Sequence, residues 1–204
     1  MTFEADGAVH LRGVFDLALI ERLSAAAQAI IAQRPSFDRP KLPVRDIIID
    51  GVPGDVALMA PAILDIARVY FGREPVPCGI SNVRRMLPDG RPLHFHQDET
   101  ILGHRLLNIW VPLTPCGVDA PGLEVVRGSF ESLLETDSIP DSPLIADRHY
   151  IPEQRVLDRF PSDALYTAAF EPGDAMVFAG STIHRTHLTP GMSRPRFSVE
   201  LRLM

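Results

Sequence analysis

The chain has 204 residues, of which 46% are apolar and 23% charged, values that are ordinary for a soluble protein of one domain. Twenty Lys and Arg residues against 26 Asp and Glu residues give a formal charge of −6, which offers no general attraction to nucleic acid or to an anionic membrane. Two cysteines without a CxxC spacing, no basic-then-apolar leader and no run of 18 apolar residues favour a reduced, cytoplasmic protein without a membrane span.

The first 75 residues are predicted to form a helical support. Residues 16–33 repeat apolar side chains at spacings of three and four, which is the pattern of an amphipathic helix. Residues 54–72 show a similar pattern, and Pro61 is expected to divide this segment or to begin its second half. Both helices are expected to pack against a sheet.

Residues 76–204 change to short apolar or alternating runs that are separated by Pro, Gly and Asp. The runs predict about eight strands, namely PCGISNVRRML, PLHFHQD, RLLNIWVPL, GLEVVRG, LYTAAFEPG, DAMVFAG, IHRTHLT and RFSVELRL. Eight strands in two facing sheets predict a mostly β protein, a double-stranded β-helix or jelly roll, with the N-terminal helices packed on the sheet. Residues 130–165 interrupt this pattern with many Pro, Asp and Ser residues, and they are expected to form a lid-like insertion.

Histidines and a carboxylate are concentrated in the second predicted strand. On a strand His94, His96 and Asp98 would share one face, because successive side chains alternate between the faces. His184 lies in another predicted strand. Two histidines and one carboxylate can bind a metal on one side and leave its other positions open, as non-haem iron(II) oxygenases require.

A second pair of alternate residues lies in the last predicted strand. Arg196 and Ser198 would share a face there, and a guanidinium beside a hydroxyl is suited to binding a carboxylate. The order His-x-Asp, His and then Arg is much rarer than any of its parts.

Five motifs in this order resemble the phytanoyl-CoA dioxygenase-like family of iron(II)/2-oxoglutarate-dependent oxygenases. They are HQD, NIWVPL, PGLEVVRGSF, PGDAMVFAGSTIHRT and PRFSVEL, and the resemblance extends over roughly residues 80–204. It implies Fe(II) as the metal, 2-oxoglutarate and dioxygen as co-substrates, and a small molecule as substrate. HRT stands where the family frequently has HGS.

The resemblance also implies roles for individual residues. His96, Asp98 and His184 match the catalytic metal ligands, and Arg196 matches the arginine that binds the far carboxylate of 2-oxoglutarate. The interval after His184 leaves Arg194 as an alternative, but Arg196 is preferred because its Arg-x-Ser pair lies inside a strand run.

Three further residues are expected in the co-substrate pocket. Ser198 accompanies Arg196 on its strand, Thr186 follows the distal histidine by two positions, and Trp110 matches an aromatic position that lines the pocket.

The implied reaction is hydroxylation of a metabolite or natural-product intermediate, with release of succinate and CO2. Halogenation is not expected, because Asp98 occupies the position where halogenating relatives have a small residue. One alternative is a cupin-type metal site of His94, His96 and His184, and another is a metal-free jelly-roll binding module. If the protein is an oxygenase, His94 is expected to contact a metal ligand or the substrate at the cavity mouth.

Overall fold

The computed structural model describes residues 1–32, 42–140, 142 and 145–204. Residue 33 of the first predicted helix and residues 141, 143 and 144 of the predicted insertion lie outside the described residues. The described helices are α1 Phe3–Asp6, α2 Leu17–Ala32, α3 Gly54–Ala57, α4 Pro61–Phe71, α5 Asp98–Leu102 and α6 Glu153–Arg159. Short 3-10 turns lie at Val44–Asp46, Ser129–Glu131, Ile145–Arg148 and Ser162–Ala164.

Both predicted N-terminal helices are present, and the second is divided as its proline indicates. Pro61 begins α4, where its missing N–H costs nothing because the first helical amides have no partner within the helix. Gly72 ends α4 with φ 68°, a left-handed conformation that glycine adopts without steric cost.

The strands form two main antiparallel sheets and one short hairpin. They are β1 Ala8–Leu11, β2 Leu42–Pro43, β3 Ile48–Ile49, β4 Val52–Pro53, β5 Asn82–Met86, β6 Leu107–Pro112, β7 Gly122–Val126, β8 Leu165–Thr167, β9 Ala175–Ala179, β10 His184–His187 and β11 Arg196–Leu203. The larger sheet has the order β1-β9-β6-β11-β5-β2, the smaller has β10-β7-β8, and β3 pairs with β4. The jelly-roll prediction is confirmed. The N-terminal region adds β1 and β2 to the edges of the larger sheet, and its helical pattern did not predict them.

The larger sheet is buried on both faces, which explains the nearly continuous apolar run of β6. Leu107, Ile109 and Val111 point outward and pack with Ile20 of α2 and Ile63 of α4 in one core cluster. Strand alternation sends the intervening residues of β6 in the opposite direction.

A second apolar cluster lies between the two sheets. Trp110 of β6 and Phe178 of β9 meet Leu123 and Val125 of β7 there. The inner face of β11 is polar instead, with Arg196, Ser198, Glu200 and Arg202 at alternate positions. Polar residues on a buried face require partners, so this face is where a site is expected.

Within the described ranges, no helix combines the length and the apolar character that crossing a bilayer requires.

Candidate active site

Two histidines and an aspartate converge between the sheets. One donor atom from each of His96, Asp98 and His184 lies within 4.8 Å of the other two, and all three residues are buried. The two histidines form an isolated antiparallel bridge, with His96 N–H donating to the His184 carbonyl at 3.0 Å and the reverse bond at 3.1 Å. Backbone pairing therefore fixes the spacing of the two imidazoles, whose ring centres are 4.2 Å apart.

The prediction of a strand over PLHFHQD is wrong apart from this bridge. Residues 92–95 are irregular, and the chain turns at Gln97 into α5, of which Asp98 is the first residue. The side chain of Asp98 is thus brought close to that of His96 by the first turn of a helix, and not by the alternation of side chains along a strand. His94 does not share their direction, because it is exposed and its ring lies 5.7 Å from that of Tyr150. The three-histidine alternative loses its basis, since His94 is not part of the cluster.

The imidazoles are oriented for metal binding through their Nε2 atoms. His96 Nδ1 lies 2.7 Å from the His94 carbonyl, and His184 Nδ1 lies 3.0 Å from the Thr182 carbonyl. A carbonyl oxygen only accepts, so each Nδ1 carries the proton and each Nε2 keeps its lone pair. Among the described residues, His184 Nε2 is buried without a hydrogen-bond partner.

Burial and charge place His96 and Asp98 in the protonation states that a metal requires. Burial, reinforced by His184, lowers the pKa of His96 to about 4, so this imidazole is neutral at pH 7. Burial alone would raise the pKa of Asp98, but Arg202 and the two histidines outweigh it and hold that pKa well below its usual range. Neutral imidazoles and an ionised carboxylate are the forms that bind divalent metals.

A buried network of charges surrounds Asp98. Arg202 donates to Asp98 Oδ2 from Nε at 3.0 Å and from Nη2 at 2.8 Å. The same guanidinium lies 3.1 Å from Glu200, which also pairs with Arg84 at 2.7 Å. The sequence patterns did not single out Arg202 or Glu200, although two charged residues at alternate positions in an apolar final strand are a usable signal.

The predicted carboxylate-binding residues lie on the inner faces of β11 and β6. Arg196 is buried, its guanidinium carbon lies 5.4 Å from the centre of the Trp110 ring, and Nη1 donates to the Gly122 carbonyl at 2.9 Å. Ser198 is fully buried, and its hydroxyl has no partner among the described residues. Arg194 is instead 62% exposed and pairs with Asp119 at 3.3 Å.

Thr186 lies close to Arg196 but already uses its hydroxyl. Both residues border a cavity of about 20 Å³ that Arg84 and Met86 also line. Thr186 Oγ1 accepts a hydrogen bond from the Leu93 N–H at 3.1 Å and so connects β10 to the segment before His96.

Asn108 is a residue of this site that sequence reasoning missed. It is fully buried on the inner side of β6, and neither its amide nitrogen nor its oxygen has a partner among the described residues. Its neighbours across the sheet are Arg202, which binds Asp98, and Phe178, whose ring lies 4.7 Å from that of His184. A buried amide left unsatisfied is costly, so its place beside the metal-site residues indicates a ligand. A polar residue in the middle of the run LLNIWVP was the available signal.

Gln97, between the two donors of the His-x-Asp motif, holds the segment in place. Its fully buried amide donates to the carbonyls of Ser132 and Ser181 at 2.9 and 2.5 Å and accepts from the Leu134 N–H at 2.9 Å. The Gln97 side chain therefore connects the motif to the start of the insertion and to the segment that precedes β10.

A larger cleft lies on the other side of α5 and is separate from this site. It has a volume of about 740 Å³ and is lined by Tyr70, Glu99, Arg105 and Phe130, among others, but by none of the three donor residues.

A jelly roll that directs two imidazole nitrogens and one carboxylate oxygen to a common point has the donor set of a non-haem iron oxygenase. The sequence matches the family described as Phytanoyl-CoA dioxygenase (PhyH) over residues 3–194. The chain belongs to this family and is an Fe(II)/2-oxoglutarate-dependent oxygenase. Among proteins with curated descriptions, none matches the chain in sequence.

Solved structures support the fold assignment. The epimerase SnoN in complex with Fe3+, alpha ketoglutarate and nogalamycin RO is similar at 19% identity and a TM-score of 0.71, over 99% of this chain and 80% of that one. EctD from S. alaskensis with 2-oxoglutarate and 5-hydroxyectoine is similar at 19% identity and a TM-score of 0.67, over 98% of this chain and 73% of that one. The non-heme monooxygenase ThoJ in its apo form is similar at 18% identity and a TM-score of 0.70, over 99% of this chain and 75% of that one.

Proposed function

We propose that the protein hydroxylates a small organic molecule with Fe(II), 2-oxoglutarate and dioxygen, and that it releases succinate and CO2. Family membership supports the dependence on iron and 2-oxoglutarate. The observation that carries the proposal is the buried cluster of His96, Asp98 and His184, because its three donor atoms approach one point while their other polar atoms are bound by the protein. Fe(II) held there would supply the oxidising chemistry, and the protein would orient the reactants and exclude water.

Arg196 is proposed to bind the far carboxylate of 2-oxoglutarate. Its guanidinium is buried against Trp110, and a planar pair of N–H donors suits a carboxylate. The adjoining cavity of about 20 Å³ is too small for a five-carbon diacid, so we expect Arg196 to exchange the Gly122 carbonyl for the carboxylate as the co-substrate enters. The unpartnered Ser198 hydroxyl would donate a second bond to the same carboxylate.

Asn108 is proposed to contact the opposite end of the co-substrate. Its position between Arg202 and Phe178 places it on the metal side of Trp110. An amide N–H there can donate to the oxygens of the 2-oxo acid group that binds the metal, and this contact would satisfy a group that the protein leaves unbonded.

Hydroxylation is proposed over halogenation because Asp98 is present as the third donor and is held in place by Arg202. A small-molecule substrate is supported by the ligands of similar folds, since the EctD structure contains 5-hydroxyectoine and the SnoN structure contains nogalamycin RO.

The insertion over residues 130–165 is proposed to act as the lid of this site. Its described part packs Ile151 and Val156 in a small core with Phe95, directly before His96, and the Ile151 N–H donates to the Phe95 carbonyl at 2.6 Å. A segment attached beside the metal ligands is well placed to exclude water when the substrate binds.

The experiment that tests the function measures succinate release from the Fe(II) protein against a panel of amino acids, acyl carriers and natural-product scaffolds. Mass spectrometry of the product formed under labelled dioxygen then tests the outcome. We expect one labelled oxygen atom in the organic product. A product without that atom would show a desaturation, cyclisation or epimerisation, and the hydroxylase proposal would be wrong.

A further inference from the structure

A line of four buried or half-buried charges leads from Arg84 of β5 to the metal site. Arg84 pairs with Glu200 at 2.7 Å, Glu200 with Arg202 at 3.1 Å, and Arg202 with Asp98 at 2.8 Å. The side chains of Arg202 and Asp98 are each 5% exposed, whereas that of Arg84 is 28% exposed. Ion pairs at this depth contribute little net stability compared with apolar packing, so a network of this kind calls for another role.

Both hydrogen bonds from Arg202 to Asp98 end on the same oxygen. Nε and Nη2 lie 3.0 and 2.8 Å from Oδ2, while Oδ1 lies 3.8 Å from His96 Nε2 and faces the point where the donors meet. The two oxygens of one carboxylate are thus separated into a protein-bound oxygen and a free oxygen.

Arg202 is itself held rigidly in this position. Its Nη1 donates to the Ile80 carbonyl at 3.0 Å, and its backbone lies in β11 opposite Asn108 of β6. Glu200 also pairs with the guanidinium, through Nη2 at 3.1 Å. The pKa of Arg202 is raised, because Asp98 and Glu200 outweigh the opposing effect of burial, and the guanidinium stays charged.

We propose that Arg202 is a positioning residue that restricts Asp98 to binding the metal through one oxygen, which keeps one coordination position open for dioxygen. This inference rests on the proposed function. An octahedral metal bound here would have six positions, of which the two imidazoles and one Asp98 oxygen would take three and a chelating 2-oxo acid would take two. The sixth position would be left for dioxygen. If Asp98 bound through both oxygens, it would occupy that sixth position.

Replacing Arg202 by lysine distinguishes a positioning role of this side chain from the effect of its charge alone. The Arg202→Lys variant keeps a buried cation beside Asp98 but lacks the planar pair of donors that engages one oxygen twice. Arg202→Met removes the charge as well and leaves Asp98 and Glu200 facing each other. Arg194→Met is the matched control, since Arg194 is exposed and pairs only with Asp119 among the described side chains.

The test uses two readouts that do not depend on turnover. The first is the dissociation constant of Co(II), with its visible absorption spectrum as a report of coordination number. The second is the binding of nitric oxide, a dioxygen surrogate, to the anaerobic complex with Fe(II) and 2-oxoglutarate, followed by electron paramagnetic resonance. Loss of a residue that orients a metal ligand typically weakens metal binding by about 10–100-fold. We expect a weakening of this size in both Arg202 variants, a changed Co(II) spectrum and a weaker nitric oxide signal, with Arg194→Met unchanged.

The positioning role would be overturned if Arg202→Lys kept the wild-type Co(II) affinity, Co(II) spectrum and nitric oxide binding. A positive charge beside Asp98 would then be sufficient for normal metal binding. This variant decides the question even if Arg202→Met fails to fold, and circular dichroism establishes which variants are folded. Failure of the unmodified protein to bind Co(II) at all would overturn the proposed function together with this inference, so the two failures are distinguishable.

Discussion

Replacing Arg196 by leucine is expected to abolish most 2-oxoglutarate binding. Arg196 is 5% exposed and its guanidinium carbon lies 5.4 Å from the centre of the Trp110 ring, so leucine removes the charge at a site from which water is largely excluded. Leaving a buried carboxylate without its partner costs about 2–5 kcal/mol, which corresponds to a rise in the dissociation constant of about 30-fold to several thousand-fold. Titration calorimetry of 2-oxoglutarate into the Mn(II) protein under anaerobic conditions measures this rise.

Arg194→Leu is the control for this measurement, because it removes the same charge two residues earlier. Arg194 lies on the surface with Asp119, and an exposed pair of this kind contributes about 0–1 kcal/mol. We expect its 2-oxoglutarate affinity to stay within a factor of a few of the unmodified protein. A large loss in the Arg194 variant with normal binding in the Arg196 variant would refute the assignment and favour the alternative arginine.

Three further outcomes are expected. Asp98→Ala and His184→Ala should each lose most bound divalent metal in elemental analysis, whereas His94→Ala should retain it; full retention in both ligand variants would exclude the site. In urea titrations, the metal-free protein should lose about 2 kcal/mol of unfolding free energy between pH 7 and pH 5. The pKa of His96 is near 6.5 in the unfolded chain but about 4 in the folded protein. As the pH falls, the unfolded chain therefore binds the proton first and is stabilised relative to the folded protein. A His96→Gln variant with the same pH dependence would contradict that cause. Limited proteolysis within residues 130–165 should slow when metal, 2-oxoglutarate and a substrate that the protein can hydroxylate are present, and unchanged cleavage in a sample that turns over would argue against a lid.

The sequence predicted the fold and the donor residues through patterns that are local. The apolar run of RLLNIWVPL and the alternation in RFSVELRL depend only on neighbouring residues, because successive side chains of a strand point to opposite faces. The order of the motifs then placed His96, Asp98, His184 and Arg196 in one family pattern, and the match over residues 3–194 confirms that family. The roles of these residues stay predictions until they are tested.

The same local reasoning failed at the His-x-Asp segment. His94, His96 and Asp98 alternate as on a strand, yet only His96 pairs with another strand, and Asp98 begins a helix. What decides this conformation is distant in sequence, namely the backbone bridge to His184 and the hydrogen bonds of Gln97 to the segments around residues 132 and 181. A periodic pattern contains no information about such partners.

The sequence by itself therefore singled out the residues that are predicted to bind the metal, and it predicted the jelly roll that surrounds them. The tertiary structure decided which atoms of these residues are free. Arg202 meets Asp98 across 104 positions of the chain only because β11 is paired with β6 in one register, and a shift of one residue would turn Arg202, Glu200 and Ser198 outward into the apolar core. The same register buries Asn108 beside them without a partner. Register is set by the packing of two whole sheets and their covering helices, so the free carboxylate oxygen and the unbonded amide become visible only in the folded chain.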